Sequence, residues 1–133
     1  MKNTNSILRI TCLVVATTFF CFSALAEDVS AADVEGTWEH VATSDTPDGD
    51  AEPLDVAAIK WTFNADGTGR YEQKAMGRTM GRDMFWDLDG ATILLQNKKG
   101  GKAQAKYTIV KKGAEKMIWR NEKLGDYYHV EKR

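Results

Sequence analysis

Glu35-Gly36-Thr37-Trp38-Glu39-His40-Val41 and Trp61-Thr62-Phe63-Asn64-Ala65-Asp66-Gly67-Thr68-Gly69 decide the fold. The first run reads as an opening β-strand that begins on a tryptophan. The second reads as a strand that turns sharply into its neighbour, because Asn64, Asp66 and Gly67 tolerate the positive φ that a tight hairpin needs. Together they predict an antiparallel barrel.

Working outward, the same theme repeats to the C-terminus: a short run rich in β-branched and aromatic residues, then a turn rich in Gly, Asp, Asn or Lys. Eight such runs are expected, over Thr37 to Thr43, Ala58 to Asn64, Thr68 to Met76, Arg82 to Leu88, Thr92 to Asn97, Ala103 to Lys111, Lys116 to Asn121 and Asp126 to Lys132. Only the connection from Ser44 to about Ala57 is long, and it carries both prolines, Pro47 and Pro53, where they break no ladder. A single helical turn over Leu54 to Ala58 is compatible with the sequence, and no segment is periodic enough for a core helix.

Alternation at period two sorts the runs into faces. Ile59, Trp61 and Phe63, then Met84, Trp86 and Leu88, Ile93 and Leu95, Ala105, Tyr107 and Ile109, and Met117 and Trp119 form the expected core. Lys60, Thr62, Asn64, Arg70, Glu72, Lys74, Thr92, Gln96, Lys106 and Thr108 are expected to face water. One apolar and one polar face on sequential hairpins either close into a barrel or fold into two stacked sheets. The barrel is preferred, since no strand then has to change sheet. The expected class is all-β, an eight-stranded antiparallel up-and-down barrel over residues 36–133.

Ahead of the barrel, residues 1–26 read as a signal peptide. Lys2 and Arg9 form a charged n-region, Ile10 to Phe22 an apolar h-region, and Ser23-Ala24-Leu25-Ala26 a cleavage site, with Glu27 as the first mature residue. An apolar run of about thirteen residues is short for a bilayer of roughly 30 Å. Neither Cys12 nor Cys21 follows a lipoprotein pattern. Localisation is thus expected to be periplasmic or secreted, with no membrane span after cleavage. Both cysteines leave with that segment, so core burial and hydrogen bonding alone must hold the domain. Residues 27–35 are expected as a flexible arm or a short helical turn.

Removing Lys2 and Arg9 from the 18 basic residues leaves 16 against 19 acidic, a net charge of −3. That balance argues against a nucleic-acid partner. Eleven of the acidic residues lie between Glu27 and Asp66 with Lys60 as their one basic companion, whereas residues from Gly67 onward hold eight acidic and fifteen basic. The two ends of the chain are expected to attract each other or to form opposite faces.

At Gly36-Thr37-Trp38, and again from Trp61 to Gly69, the chain resembles the small bacterial lipocalin-like domains, relatives of the calycin barrels. The resemblance covers nearly the whole mature chain in layout, and only these two motifs are specific. It implies that Gly36 and Trp38 plug the closed end, with Trp38 packed beneath Arg133, Lys132 or Arg120. It also implies that the loop from Ser44 to Ala57, with Asp45, Asp48, Asp50, Glu52 and Asp55, lies over the open mouth as an acidic lid. The mature chain is shorter than a typical lipocalin and lacks the flanking C-terminal helix, two departures that bear on the depth of a ligand cup.

Several groups invite a chemical reading beside a plainer one. Asp48, Asp50 and Glu52 alternate as Ca²⁺ ligands would, yet the glycine and the distant glutamate of an EF-hand are missing, and a solvated loop is favoured. His40 and His129, on the first and last strands, become neighbours on closure, but two ligands do not make a zinc site and a structural role is favoured. No metal or cofactor is expected. Met76-Gly77-Arg78-Thr79-Met80-Gly81-Arg82 reads either as a flexible rim loop offering two guanidinium groups to an anion or as an irregular wide hairpin. Trp38, Trp61, Trp86 and Trp119 either line a pocket or fill the barrel. There is no cysteine nucleophile, Gly-x-Ser-x-Gly, His-Glu-x-x-His or phosphate loop, and no enzyme is expected.

Two functions stay open. One is an exported, monomeric binder of a small apolar or amphipathic ligand, with Trp61, Tyr71, Trp86 and Tyr107 as wall and Arg78 or Arg82 at the rim. The other is an exported interaction or inhibitor module with a filled barrel that acts through its surface loops.

Overall fold

The alternating runs become strands in a computed structural model that describes residues 28–54 and 57–133. The expected export segment and its cleavage point after Ala26 lie outside the described residues, as does part of the turn expected over Leu54 to Ala58. The first element is a helical turn, α1 (Ala31–Val34), one of the two forms expected before the first strand. The Asp33 carboxylate accepts from the backbone N–H and the hydroxyl of Ser30, at 2.9 and 3.1 Å, which caps it.

The strands are β1 (Gly36–Ser44), β2 (Glu52–Pro53), β3 (Ala57–Phe63), β4 (Thr68–Ala75), β5 (Arg78–Asp89), β6 (Thr92–Gln96), β7 (Ala103–Lys111), β8 (Lys116–Asn121) and β9 (Tyr127–Lys132). From β3 to β9 each pairs antiparallel with the next, β1 pairs with β3, and β1 also pairs with β9, so eight strands close on themselves. The two-residue β2 is an addition to the expected set, held against Ala42 and Thr43 where β3 has left β1. Closure removes the outer edges that an open sheet would expose.

The second opening motif explains itself in hydrogen bonds. Asp66 accepts from the Thr68 N–H at 3.0 Å and from its hydroxyl at 2.6 Å, and Gly67 takes a φ of +85°. The turn is then held to β5, since the Trp86 N–H donates to the Gly67 carbonyl and its indole N–H to the Asn64 carbonyl, each at 2.9 Å.

Trp38, at 0 % exposure, closes one end. Its indole N–H donates to the Val34 carbonyl at 2.8 Å, so α1 sits over the base of the barrel. Of the three basic partners the resemblance allows, Lys132 is the one placed over the ring, Nζ at 5.7 Å from its centroid. Gly36 has a φ of +118°, and a side chain there would meet Lys132 Cε at 2.7 Å. Above this floor the rings interlock: Trp119 lies 6.1 Å from Trp38 and 5.2 Å from Trp61, and Phe63 lies 5.2 Å from Trp86. The expected core holds, with Val34, Trp38, Tyr128 and Val130 added and Ile59, Leu88 and Ala105 only partly buried.

The uneven charge also finds partners. Glu39 pairs with Arg133, Asp33 with Lys112 at 3.5 Å and Asp48 with Lys111 at 2.6 Å, each joining the acidic N-terminal part to the basic C-terminal part. Being exposed, such pairs are each worth about 1 kcal/mol at most.

Four local expectations need correction. The stretch Met76 to Arg82 is neither a flexible loop nor a wide hairpin: Met76 and Gly77, with φ of 53° and 77°, form a two-residue turn and Arg78 already pairs with Ala75. Gln96 is buried: a register shift in the pairing with β7 sets Ala103 opposite it, and its amide donates to the Gly101 carbonyl at 3.0 Å. His40 and His129 do not meet: His40 follows Trp38 onto the inner face and pairs with Val130, whereas His129, between the buried Tyr128 and Val130, faces out, and a bulge at Val41 shifts the register only beyond His40. The start of the long loop is not a lid: Ser44 binds His129 at 2.8 Å and Asp48 binds Lys111, both on the outer wall.

Candidate ligand site at the open end of the barrel

Strand register decides which side chains meet at the end opposite Trp38. Trp61 pairs with Tyr71 and Tyr71 with Arg82, so the three share the inner face; Arg78 and Met80 lie on that face further out. A cavity of about 160 Å³ opens here, lined by Tyr71, Arg82, Met84, Gln96, Gln104 and Tyr107 among others. Arg82 lies over the Tyr71 ring, 5.8 Å from its centroid, and the Tyr71 hydroxyl donates to Gln73 Oε1 at 2.9 Å.

Of the residues expected at a ligand, Tyr71, Arg82 and Tyr107 are brought together around this opening. Trp61 is fully buried and packs edge-on against Tyr107, with ring centroids 5.4 Å apart. Trp86 lies nearer the closed end against Phe63, and Arg78 is exposed beyond the cavity lining. The tryptophans therefore fill more than they line. Larger hollows, about 440 and 430 Å³, lie on the outer wall: one beside Ile118 and His129 with Lys111, Lys112 and Lys116, the other beside Lys60, Glu72 and Lys74.

Three buried polar atoms of the described residues lack partners. The Trp61 indole N–H, His40 Nδ1 and Asp126 Oδ1 are buried and make no hydrogen bond within the protein. Orphaned polar atoms of this kind cost on the order of 1 to 3 kcal/mol each unless something satisfies them. His40 is 5 % exposed, stacks on Tyr128 at 3.9 Å and uses its Nε2 on the Thr43 hydroxyl at 2.9 Å. Burial lowers its pKa to about 4, against weaker opposition from the Ala42 backbone and the Asp126 carboxylate, so the ring is neutral at pH 7. Burial likewise raises the Tyr107 phenol well above its usual range, with Tyr128, Tyr71 and Asp126 adding in the same sense. The Tyr128 phenol is raised by burial too, opposed by the hydrogen bond from Asn121 at 3.0 Å. The His40 ring and the Tyr107 and Tyr128 phenols are thus uncharged at pH 7.

His40, Asp126, Tyr128 and Gln96 escape a reading of the sequence alone. Tyr128 and Val130 alternate as an inner face should, and so do Trp38 and His40, the signal that could have placed His40 inside. Among the described residues no group of three metal-ligating side chains comes together.

No family model and no curated protein sequence matches this chain. Its fold is similar to that of a solved lipocalin-like protein from Bacteroides uniformis, with a TM-score of 0.56 and 17 % identity over 76 % of this chain and 99 % of that one. With the closed antiparallel barrel and the tryptophan plug already described, that likeness makes this a lipocalin-like domain in fold.

Proposed function

We propose that the protein is an exported, non-enzymatic binding protein that takes a small amphipathic ligand at the open end of its barrel. The observation that carries this reading is the cavity lined by Tyr71, Arg82 and Tyr107, with buried, unpartnered polar atoms on Trp61, which packs directly on Tyr107, and on His40 and Asp126. A ligand with both donor and acceptor atoms would satisfy them, while Met84 and Leu95 offer its apolar part a wall. Tyr71, Arg82 and Tyr107 would touch it directly, Trp61 would meet its tip, Trp86 would act only by packing, and Arg78 would reach a part that projects outward.

Size limits the candidate. A cavity of about 160 Å³ is smaller than the roughly 300 to 1,000 Å³ of typical ligand pockets, so the ligand is a small one or inserts only one end. Export to the periplasm or the medium rests on residues 1–26, and a monomer without nucleic-acid partners on the closed barrel and the acidic balance.

A titration of the isotope-labelled mature protein with a fragment library, followed by the four indole N–H signals, tests the reading. A binder should shift the Trp61 signal saturably while leaving Trp38 in place, and Tyr71→Phe with Arg82→Ala should weaken it. If every saturable response spared Trp61, the interior site would be wrong. The aromatic filling and the larger outer hollows favour a second reading, an interaction or inhibitor module acting through its surface.

A further inference from the structure

Strand β5 is twelve residues long and β6 only five. On one side β5 pairs with β4 along the run from Arg78 to Phe85; on the other, its ladder with β6 starts at Phe85 opposite Gln96. Residues 78–84 thus present one edge with no strand beside it, and no loop donates to or accepts from that edge among the described residues. The barrel is closed below this stretch and open along it.

An unpaired edge of this length is a template for another strand. Natural edges are blunted by proline, a bulge, short length or charged side chains; only the last occurs here, as Arg78 and Arg82, whose shared sign repels a like edge and attracts an acidic one. Alternation puts Arg78, Met80 and Arg82 on the inner face and Thr79, Gly81 and Asp83 on the outer. Asp83 is held by Arg70 at 3.0 Å, whereas Arg78 and Arg82 have no carboxylate within salt-bridge distance among the described residues. Met80 between them is 69 % exposed.

We infer that this edge docks an extended acidic peptide strand, with two carboxylates two positions either side of an apolar residue, facing Arg78, Met80 and Arg82. A second copy of the chain fits worse. A two-fold axis through an antiparallel pair matches residues of like parity, so every overlapping register places an arginine opposite or diagonal to another arginine, and like charges so placed repel. The inference does not need the ligand reading, since a strand on this edge requires no occupant of the cavity, although Arg82 faces both.

The test uses the mature protein and a labelled, end-blocked nonapeptide of threonine and valine with two glutamates four residues apart, against the same peptide with lysines. Fluorescence anisotropy should show saturable binding of the acidic peptide and about tenfold weaker binding of the basic one. Amide exchange should slow within residues 78–84 and nowhere else. Arg78→Glu should cut the acidic peptide's affinity several-fold and narrow or reverse the preference. Absence of saturable binding, protection at another strand, equal affinity for the two peptides, or indifference to Arg78→Glu would each overturn the inference.

Discussion

Trp38→Ala removes the largest side chain at the closed end, and the structure sets its cost. Trp38 has no exposed surface, so the change empties an indole-sized volume between α1 and Trp119, where Phe or Trp to Ala typically costs about 3 to 5 kcal/mol. It also strips the Val34 carbonyl of its 2.8 Å donor and Lys132 of the ring beneath it. The lysine contact is partly exposed and adds well under about 1 kcal/mol. The sum is a large share of a domain stability of about 5 to 15 kcal/mol. Urea unfolding followed by fluorescence of the remaining tryptophans measures it, and the midpoint should fall with an unchanged slope. On heating, the Tm should drop by about 12 °C or more, at about 4 to 8 °C per kcal/mol for a domain near this size. Trp38→Phe keeps most of the volume and loses the hydrogen bond, so it should cost about 1 to 2 kcal/mol. A loss below about 1 kcal/mol for the alanine variant would refute the plug.

His40 should make stability depend on pH. Its folded pKa is lowered from 6.5 to about 4, so below pH 6.5 the unfolded chain binds a proton that the native one refuses, and stability falls as pH falls through that window. Between pH 7 and pH 4 the wild type should lose about 2 to 3 kcal/mol more than His40→Phe in urea unfolding; parallel pH profiles would contradict the buried neutral ring. Met76, 95 % exposed with a φ of 53°, occupies a turn position that suits Asn or Gly. Met76→Asn should therefore stabilise by about 0.5 to 1 kcal/mol in the same assay, and a loss of stability would argue against the two-residue turn.

The legible part of the fold came from alternation and from turn chemistry. Trp61, Phe63, Trp86 and Trp119 announce an inner face, and Asn64 to Gly67 a hairpin, because each residue's local preference agrees with its place in the barrel. The hidden part lies where they disagree. Methionine is an unlikely residue for a positive φ, so the turn at Met76-Gly77 reads as a loop and the first third of β5 is missed. A bulge adds one residue without altering composition, so nothing in the sequence marks the register shifts after His40 and after Leu95. At the candidate site, Tyr71, Arg82 and Tyr107 are legible as inner-face neighbours. His40 is not, since only closure of β1 on β9 brings it to Tyr128, and Asp126 reads simply as a turn residue before β9.

Native mass spectrometry of the mature protein, purified gently from the cells that make it, tests the central claim most directly. A barrel that binds through the unpartnered groups of Trp61, His40 and Asp126 should carry one small molecule per chain, released on mild activation and lost in the Tyr71→Phe, Arg82→Ala variant. Bare protein at every activation energy, or a bound molecule retained unchanged by that variant, would contradict it.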